Sequence, residues 1–278
     1  MSTVDLNQWL GRQETSSEFI SPSHVKKIAY SLNAPVPQAG DALPRLWQWA
    51  LFIDPMPLGE LGADGHPKRG GFLPPADNRN RMWAGGRLKF HQALIIGRDA
   101  TRTSTIKAIK EKEGSTGKLL FVTVLHEYSQ DGQLCITEEQ DIVYREPSPP
   151  KLGGTEASPE AQWSGDIEPS STMLFRYSAV TFNGHRIHYD FPYVTEVEGY
   201  PGLVVHGPMI ATYVLNGFEQ ANPDKKVTGF SFRGVRPLIS PTPFKVEGFI
   251  EEGGQSAKVW AQQEGTFAQI GQVEFVQE

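Results

Sequence analysis

Two stretches of this 278-residue chain carry the same succession of features: a short helix, a loop and a run of strands. Two short matches align them, Tyr30-Ser31 with Tyr177-Ser178 and Leu88-Lys89-Phe90 with Phe230-Ser231-Phe232. The spacing of the two matches differs by a few positions, as one loop insertion or deletion requires. Self-similarity in order, spacing and element type indicates a duplicated fold. Both halves are therefore expected to share one topology.

Hydrophobic periodicity predicts a short helix over Ser23–Leu32 and another over Ser171–Thr181. After each helix the pattern changes to strand-like runs split by glycine-containing turns, which in the first half form a meander of about four strands. With 28 glycines and 21 prolines, the composition also favours sheets over a helix bundle. In the second half the predicted strands are Gly229–Val235, Thr242–Glu252, Ala257–Glu264 and Thr266–Val276.

The two halves are joined by a stretch without apolar periodicity, E-P-S-P-P-K-L-G-G-T-E-A-S-P-E from Glu146. Proline, glycine, serine and glutamate in this density are typical of an exposed connector. The sequence therefore predicts an N-terminal unit (residues 1–147), a linker (148–169) and a C-terminal unit (170–278).

Composition excludes several classes of protein. A net charge of −6, with no run of Lys or Arg longer than two, argues against a nucleic-acid partner. Apolar runs fall far short of the roughly 20 residues that a membrane span needs, so no membrane partner is expected. The N-terminus has neither a basic, apolar leader nor an arginine-rich transit pattern, which indicates a cytoplasmic protein. Cys135 is the single cysteine, so neither a disulfide nor a cysteine zinc site is expected.

Three of the seven histidines, His185, His188 and His206, lie close together in the second half, beside Asn183 and Asp190. Imidazole titrates nearest to neutral pH, so this cluster is the best candidate for acid–base catalysis. An ordinary loop of turn and capping residues remains an equal alternative at this point. His185, His188 and Asp190 do not have one of the strong metal-ligand spacings, so no metal is expected.

A second feature follows in P-G-L-V-V-H-G-P-M-I, where apolar residues begin to recur at helical spacing after His206. Pro208 suits the first turn of a helix, where its missing N–H costs nothing. The N–H of Gly207 would then be free to stabilise a developing oxyanion, and the lack of a Cβ would let a substrate carbonyl approach. The alternative is a buried helix with no further role.

The segments Tyr177–Asp190 and Pro201–Val214 resemble the active-site loop and the start of the central helix in the MaoC-like hot-dog hydratases and dehydratases. In that family a loop of the form Y-[ST]-x-x-[ST]-G-D-x-N-P-x-H precedes P-x-x-V-H-G. The resemblance implies an α+β double hot-dog fold, with two tandem curled antiparallel sheets that each wrap a helix. The unit 170–278 would be the catalytic domain, and the unit 1–147 a degenerate copy whose loop at 36–41 has no histidine.

This sequence departs from the family pattern at several positions of the loop. It retains the family's His as His188, but it has Asn183 in place of the Asp, His185 in place of the Asn and Arg186 in place of the Pro. This variant, together with the stretch Gly70–Phe90, is similar to a branch that contains mitochondrial 3-hydroxyacyl-thioester dehydratases and bacterial mesaconyl-C4-CoA and itaconyl-CoA hydratases.

The resemblance implies a hydro-lyase that adds water reversibly to an α,β-unsaturated acyl-CoA, with the CoA thioester as substrate and no cofactor. His188 would act as base and acid, Asn183 would orient the water, and the N–H of Gly207 would polarise the thioester. A C5 dicarboxylic acyl group, giving citramalyl-CoA as in itaconate degradation, is the favoured substrate. The expected substrate-binding residues are Arg176, Arg186, His185 and His206.

Two alternatives remain open on the sequence. One is a 3-hydroxyacyl-thioester dehydratase of fatty-acid metabolism, acting on CoA or acyl-carrier-protein thioesters. The other is a non-catalytic acyl-CoA-binding protein, which the change from Asp to Asn183 favours. A monomer and a homodimer both fit a duplicated hot-dog chain.

Overall fold

One antiparallel sheet of ten strands forms the framework of the part of the chain that the computed structural model describes, residues 5–68, 70–76, 79–114, 117–156 and 160–277. The order across the sheet is β1-β3-β4-β5-β2-β7-β10-β9-β8-β6. The strands are β1 (Gln13–Phe19), β2 (Asn80–Phe90), β3 (Asp99–Gly114), β4 (Gly117–Gln130), β5 (Gln133–Arg145), β6 (Trp163–Ile167), β7 (Lys225–Gly234), β8 (Phe244–Ile250), β9 (Ser256–Gln263) and β10 (Thr266–Gln277).

The sheet order reads the same from both ends, so the duplication extends to every strand. β1 to β5 correspond in turn to β6, β7, β8, β9 and β10, and the two halves meet where β2 pairs with β7. In this seam Leu88 lies directly opposite Phe230, the residue that it matches in the sequence repeat. Gly85 permits the close approach, because a Cβ there would lie 2.3 Å from the carbonyl oxygen of Phe232. The strand pairing that two subunits could supply is thus made within one chain.

The described residues contain three α-helices, α1 (Pro22–Ser31), α2 (Ser171–Val180) and α3 (Gly207–Ala221). α1 and α2 pack against each other, and α3 packs against the strands of the second half. α3 is apolar on nearly every side and lies in the curl of the C-terminal strands, where residues such as Phe218 are fully buried. At the corresponding place between α1 and β2, the described residues of the first half form only the 3₁₀ turns Trp47–Ala50 and Leu58–Glu60. Within the described residues, a helix wrapped by the strands is therefore found in the second half only. No helix in the described ranges combines the length and apolarity of a membrane span.

The predicted linker 148–169 contains a strand, because β6 runs from Trp163 to Ile167 and pairs with β8. The second repeat thus begins before residue 170. β6 is short and mostly polar, and it lies at an edge of the sheet, so it lacks the apolar alternation that predicts a strand. The side chain of Trp163 holds it against α3, 5.7 Å from the ring of Phe218.

Some predictions fall outside the described residues. These concern residues 1–4 at the N-terminus, 77–78 within the Gly70–Phe90 stretch, 115–116 in the turn between β3 and β4, and 157–159 in the connector.

A buried carboxyl group on β5 makes stability depend on pH. Glu138 is 1% exposed and accepts hydrogen bonds from the Trp49 Nε1–H (2.9 Å) and the Tyr128 hydroxyl (3.1 Å). Burial raises its pKa from 4.5 to about 7, although both hydrogen bonds favour the ionised form. Because the pKa is raised in the folded state, the contribution of Glu138 to stability is full below the unfolded-state value and is lost as the pH rises to about 7.

Glu138→Gln is expected to raise the free energy of unfolding at pH 8 by about 3 kcal/mol relative to its effect at pH 4.5, because the neutral amide removes the cost of a buried charge. Urea unfolding at the two pH values measures this difference. Glu252→Gln, at an exposed position, is the control and should leave the pH dependence unchanged. An unaltered pH dependence in Glu138→Gln would contradict the assignment.

Candidate active site

A cavity of about 920 Å³ lies between the two halves of the protein and is lined by both. The second half contributes α2, residues 181–190 after it, here called the histidine loop, and the start of α3. The first half contributes β2, β5 and residues from the segment 54–67. The predicted degenerate copy therefore builds part of the site wall.

His188 is the best-placed base in this cavity. It ends the 3₁₀ turn Arg186–His188 and is 7% exposed. Its Nδ1 lies 2.7 Å from the carbonyl oxygen of Val204. Because a carbonyl oxygen only accepts hydrogen bonds, Nδ1 carries the proton and donates it. Nε2 is then the nitrogen with a lone pair, which is available to a water molecule in the cavity.

Burial keeps the imidazole of His188 neutral. Removal from water lowers its pKa to about 4, while the hydrogen bond to the Val204 carbonyl acts in the opposite direction. At pH 7 the ring is therefore able to accept a proton without first losing one.

His206 packs against the face of the His188 ring and does not reach the cavity. It is fully buried at the N-cap of α3, and its ring stacks on that of His188 with the centroids 3.6 Å apart. Its Nε2 lies 2.8 Å from the Ser178 hydroxyl. Burial lowers its pKa well below the usual range, so the ring is neutral. The sequence predicts that His206 binds substrate, but the structure places it behind His188 as a packing partner, without contact with the cavity.

Asn183 and His185 are joined in a tight turn within the histidine loop, and both line the cavity. The side-chain oxygen of Asn183 accepts from the His185 backbone N–H at 3.0 Å, and the Asn183 N–H donates to the Ser178 carbonyl at 2.8 Å. The side-chain NH₂ of Asn183 is left to donate to the oxygen of a water molecule. This orientation leaves the protons of that water available to His188.

Gly207 begins α3 and lines the cavity, as predicted. The first N–H groups of a helix have no acceptor within it, so the N–H of Gly207 is available to a ligand oxygen. A Cβ on Gly207 would meet no protein atom within 4 Å, so the glycine leaves room for a ligand. The Gln269 side chain anchors this helix start by donating to the Gly207 carbonyl at 3.1 Å.

A turn of the first half packs directly on the histidine loop. Residues 61–67, here called the docking turn, form a narrow hairpin in which Leu61 bridges Pro67. Gly65 has a φ of +87°, and a Cβ there would lie 1.9 Å from the carbonyl oxygen of Gly184. The backbone N–H of Arg186 donates to the Asp64 carbonyl at 2.9 Å. Backbone contact of this kind fixes the position of the turn.

The docking turn brings Asp64 and His66 to the site, and sequence analysis missed both. His66 Nδ1 lies 3.1 Å from an Asp64 carboxylate oxygen, and the ring of His66 lies 4.1 Å from that of His185. The sequence signal that could have identified them is the segment A-D-G-H-P, an acid and a histidine around a glycine turn.

Asp64, His66 and His185 are also close enough together to hold a metal ion. Asp190, which the sequence analysis considered as a metal ligand with His185 and His188, instead accepts a hydrogen bond from Arg186. The absence of a metal stays a prediction.

The arginines predicted to bind substrate lie elsewhere. Arg176 is exposed on α2 and does not line the cavity. The guanidinium of Arg186 donates hydrogen bonds to the Asp190 carboxylate (2.9 Å) and to the Ala63 carbonyl (3.0 Å), so Asp190 already neutralises its charge. Neither guanidinium lies where the predicted contact with substrate requires it. Among the described residues, the cavity wall instead holds the carboxylate of Asp54 and the cations Arg81, Arg145, Lys151 and Arg236.

Arg81 is the cation of the cavity wall whose charge acts on the histidines. Burial is the main cause of the lowered pKa of His185, and the positive charge of Arg81 contributes to it. It forms no salt bridge with any described residue, whereas Arg87 on the same strand is neutralised by Glu139 and Asp141. A cation of this kind in a cavity wall is suited to a carboxylate of a ligand.

Comparisons with known proteins agree with this architecture. A mycobacterial protein described as having a double hot-dog fold superposes with a TM-score of 0.58 at 11% identity, over 97% of this chain and 96% of that one. A MaoC-like dehydratase from Phytophthora capsici gives a TM-score of 0.72 at 12% identity, over 99% and 100%. The predicted double hot-dog, MaoC-like fold is thereby confirmed.

Sequence comparison identifies the family. The mesaconyl-C(4)-CoA hydratase of Chloroflexus aurantiacus is 43% identical over 251 residues, which cover 88% of this chain and 89% of that protein. Residues 46–240 match the family described as hydroxyacyl-thioester dehydratase type 2. The match spans the docking turn, the histidine loop and the start of α3. This chain therefore belongs to the hydroxyacyl-thioester dehydratase type 2 family, and it is a hydro-lyase.

Proposed function

We propose that the protein is a hydratase that adds water reversibly to an α,β-unsaturated C5 dicarboxylic acyl-CoA, mesaconyl-C4-CoA, to give citramalyl-CoA. One observation carries the proposal: a neutral His188, with its Nε2 lone pair free, lines the same cavity as the Asn183 amide and the first N–H of α3. The similarity to a mesaconyl-C(4)-CoA hydratase over nearly the whole chain supports the choice of acyl group.

The reaction uses groups of the protein and the CoA thioester of the substrate alone. Asn183 holds the oxygen of a water molecule, and His188 Nε2 removes one of its protons as the oxygen attacks the β-carbon. The π electrons move onto the thioester, whose oxygen is stabilised by the N–H of Gly207. Protonation of the α-carbon completes the addition. The same steps in reverse release water.

The charges of the site favour an acyl group with a free carboxylate. In mesaconyl-C4-CoA this carboxylate is attached to the carbon that water attacks, so it would lie beside Asn183 and His188. An Asp at position 183 would repel it, whereas the neutral amide does not. Arg81, which lines the same cavity without a salt-bridge partner among the described residues, is assigned to pair with it. This role replaces the one predicted for Arg176 and Arg186.

Arg81→Met is expected to lower kcat/KM for mesaconyl-C4-CoA by about 10- to 100-fold, because a charge-assisted hydrogen bond contributes about 1.5–3 kcal/mol. Crotonyl-CoA, which has no free carboxylate, should be hydrated at nearly the same rate by the variant and by the unmodified protein. Arg176→Met, at an exposed arginine outside the cavity, is the matched control. An equal loss on both substrates would contradict the assignment of Arg81.

The family description favours a second candidate, a 3-hydroxyacyl-thioester dehydratase of fatty-acid metabolism. Rates on mesaconyl-C4-CoA, itaconyl-CoA, crotonyl-CoA and a medium-chain 3-hydroxyacyl thioester separate the two. Mesaconyl-C4-CoA should have the highest kcat/KM, and itaconyl-CoA, whose double bond is not conjugated to the thioester, should not be hydrated by this mechanism. A clear preference for the medium-chain thioester would support the second candidate, and no turnover of any of them would support a non-catalytic acyl-CoA-binding protein.

A further inference from the structure

Four imidazoles form a row through the active site. The ring centroids of His66 and His185 are 4.1 Å apart, those of His185 and His188 are 5.4 Å apart, and those of His188 and His206 are 3.6 Å apart. The first three line the cavity or its edge. His66 is the one that is hydrogen-bonded to a carboxylate, Asp64.

Hydration needs a proton at the α-carbon as well as a base for the water. Asn183 stands where the family pattern has a carboxylate, and an amide neither accepts nor delivers a proton at neutral pH. With the second-half residues alone, His188 would have to perform both transfers. The first half supplies another titratable group on the same cavity, His66.

The charges along the row favour a proton on His66. Burial opposes ionisation of Asp64, but its hydrogen bond to His66 outweighs this and holds the pKa of the carboxyl well below its usual range. The negative charge of Asp64 in turn stabilises an imidazolium at His66. Burial instead lowers the pKa of His185 and of His188, so these two rings are neutral. The row thus has a carboxylate-bonded imidazole, His66, at one end and a neutral imidazole, His188, toward the other.

We propose that His66, oriented by Asp64, is the general acid of the reaction and is contributed by the first repeat. As His188 Nε2 takes a proton from water and the oxygen bonds to the β-carbon, the π electrons form the enolate. His66 then donates its proton to the α-carbon, which restores the thioester carbonyl. The proton on His188 returns to His66 through solvent in the cavity, so that one water is consumed and both histidines are restored. This inference rests on the proposed hydration reaction.

The position of His66 is suited to this role because the docking turn that carries it cannot move freely. Its backbone touches the histidine loop at Gly65 and Gly184 with no space for a Cβ on Gly65, and Arg186 bonds it twice. Groups of an active site held by such rigid contacts keep their geometry during catalysis.

His66→Gln is expected to lower kcat on mesaconyl-C4-CoA by about 10²–10⁴-fold, the usual contribution of a general acid, with KM changed by only a few fold. His91→Gln is the matched control, because His91 is exposed, bonds Thr137 and lies outside the cavity. Asp64→Asn should give a smaller loss. All variants are assayed with and without EDTA.

The pH profile separates an acid from a structural residue. Activity of the unmodified protein should fall at high pH as His66 loses its proton, and Asp64→Asn should move this fall to lower pH because the stabilising negative charge is gone. His66→Gln should lose the high-pH fall altogether. Among the residues that the structure describes, the titratable and charged groups around His66 and its turn include Asp64, His185, His188, Arg81, Arg186 and Tyr193.

Two results would overturn the inference while leaving the proposed function standing. In one, His66→Gln has the kcat and pH profile of His91→Gln although the unmodified protein hydrates mesaconyl-C4-CoA. In the other, EDTA abolishes activity of the unmodified protein, which would make Asp64, His66 and His185 metal ligands. An unmodified protein that is inactive on every substrate would instead contradict the proposed function.

Discussion

Replacing His188 with glutamine is expected to lower kcat for hydration by about 10²–10⁴-fold, because an amide cannot take the proton that His188 Nε2 accepts from the water. The glutamine side chain still donates to the Val204 carbonyl, so the buried oxygen keeps a partner. KM should change little, since the thioester and CoA contact other groups. Steady-state kinetics on mesaconyl-C4-CoA measures the effect.

His126→Gln is the control for removing a buried histidine. His126 is 9% exposed, bonds Ser104 and also has its pKa lowered to about 4 by burial, but it lies outside the cavity.

Activity of the unmodified protein should fall below about pH 5, as His188 becomes protonated. Full turnover in a folded His188→Gln variant would eliminate the mechanism and favour a non-catalytic role.

Gly65→Ala is expected to reduce activity by about 10²-fold while the fold is retained, because displacing catalytic groups by about 1 Å has an effect of this size. The added Cβ would lie 1.9 Å from the Gly184 carbonyl oxygen, and the two backbones must separate to relieve the contact. Separation moves His66 and Asp64 away from the histidine loop. Kinetics and thermal unfolding of the same preparation measure the two effects.

Gly40→Ala is the control that separates the effect of the contact with Gly184 from the effect of placing a side chain at a positive φ. Gly40 has a φ of +91°, close to that of Gly65, but a Cβ there would meet nothing within 4 Å. Both variants carry the penalty of about 1–2 kcal/mol for a side chain in the left-handed region. Gly40→Ala should therefore lose stability and keep its activity. Equal activity in the two variants would show that the docking turn is not part of the site.

The duplication could be predicted because both repeats keep similar residues at the same structural position. Leu88 and Phe230 match in the sequence and then pair with each other across the seam. The edge strands β1 and β6 could not be predicted. They are polar, and the main contact that holds β6 on α3, between Trp163 and Phe218, joins residues that are distant in the sequence.

The candidate site could be predicted where its residues share one short stretch of chain. Asn183 and His188 lie on one loop, and Gly207 lies at the start of the next α-helix, so local patterns bring them together. Arg186 and His206 were assigned to the substrate because the sequence shows no partner for either side chain. In the folded protein, Arg186 bonds Asp190 and His206 bonds Ser178.

By itself, the sequence determined the repeated plan, the hot-dog family and the base with its helix start, because these follow from residues that are close along the chain. Only the tertiary structure decided that the first repeat lines the candidate site. His66, Asp64 and Arg81 reach the cavity because β2 pairs with β7 and the docking turn packs on the histidine loop. Such long-range pairing leaves no periodic pattern in the sequence from which it could be predicted.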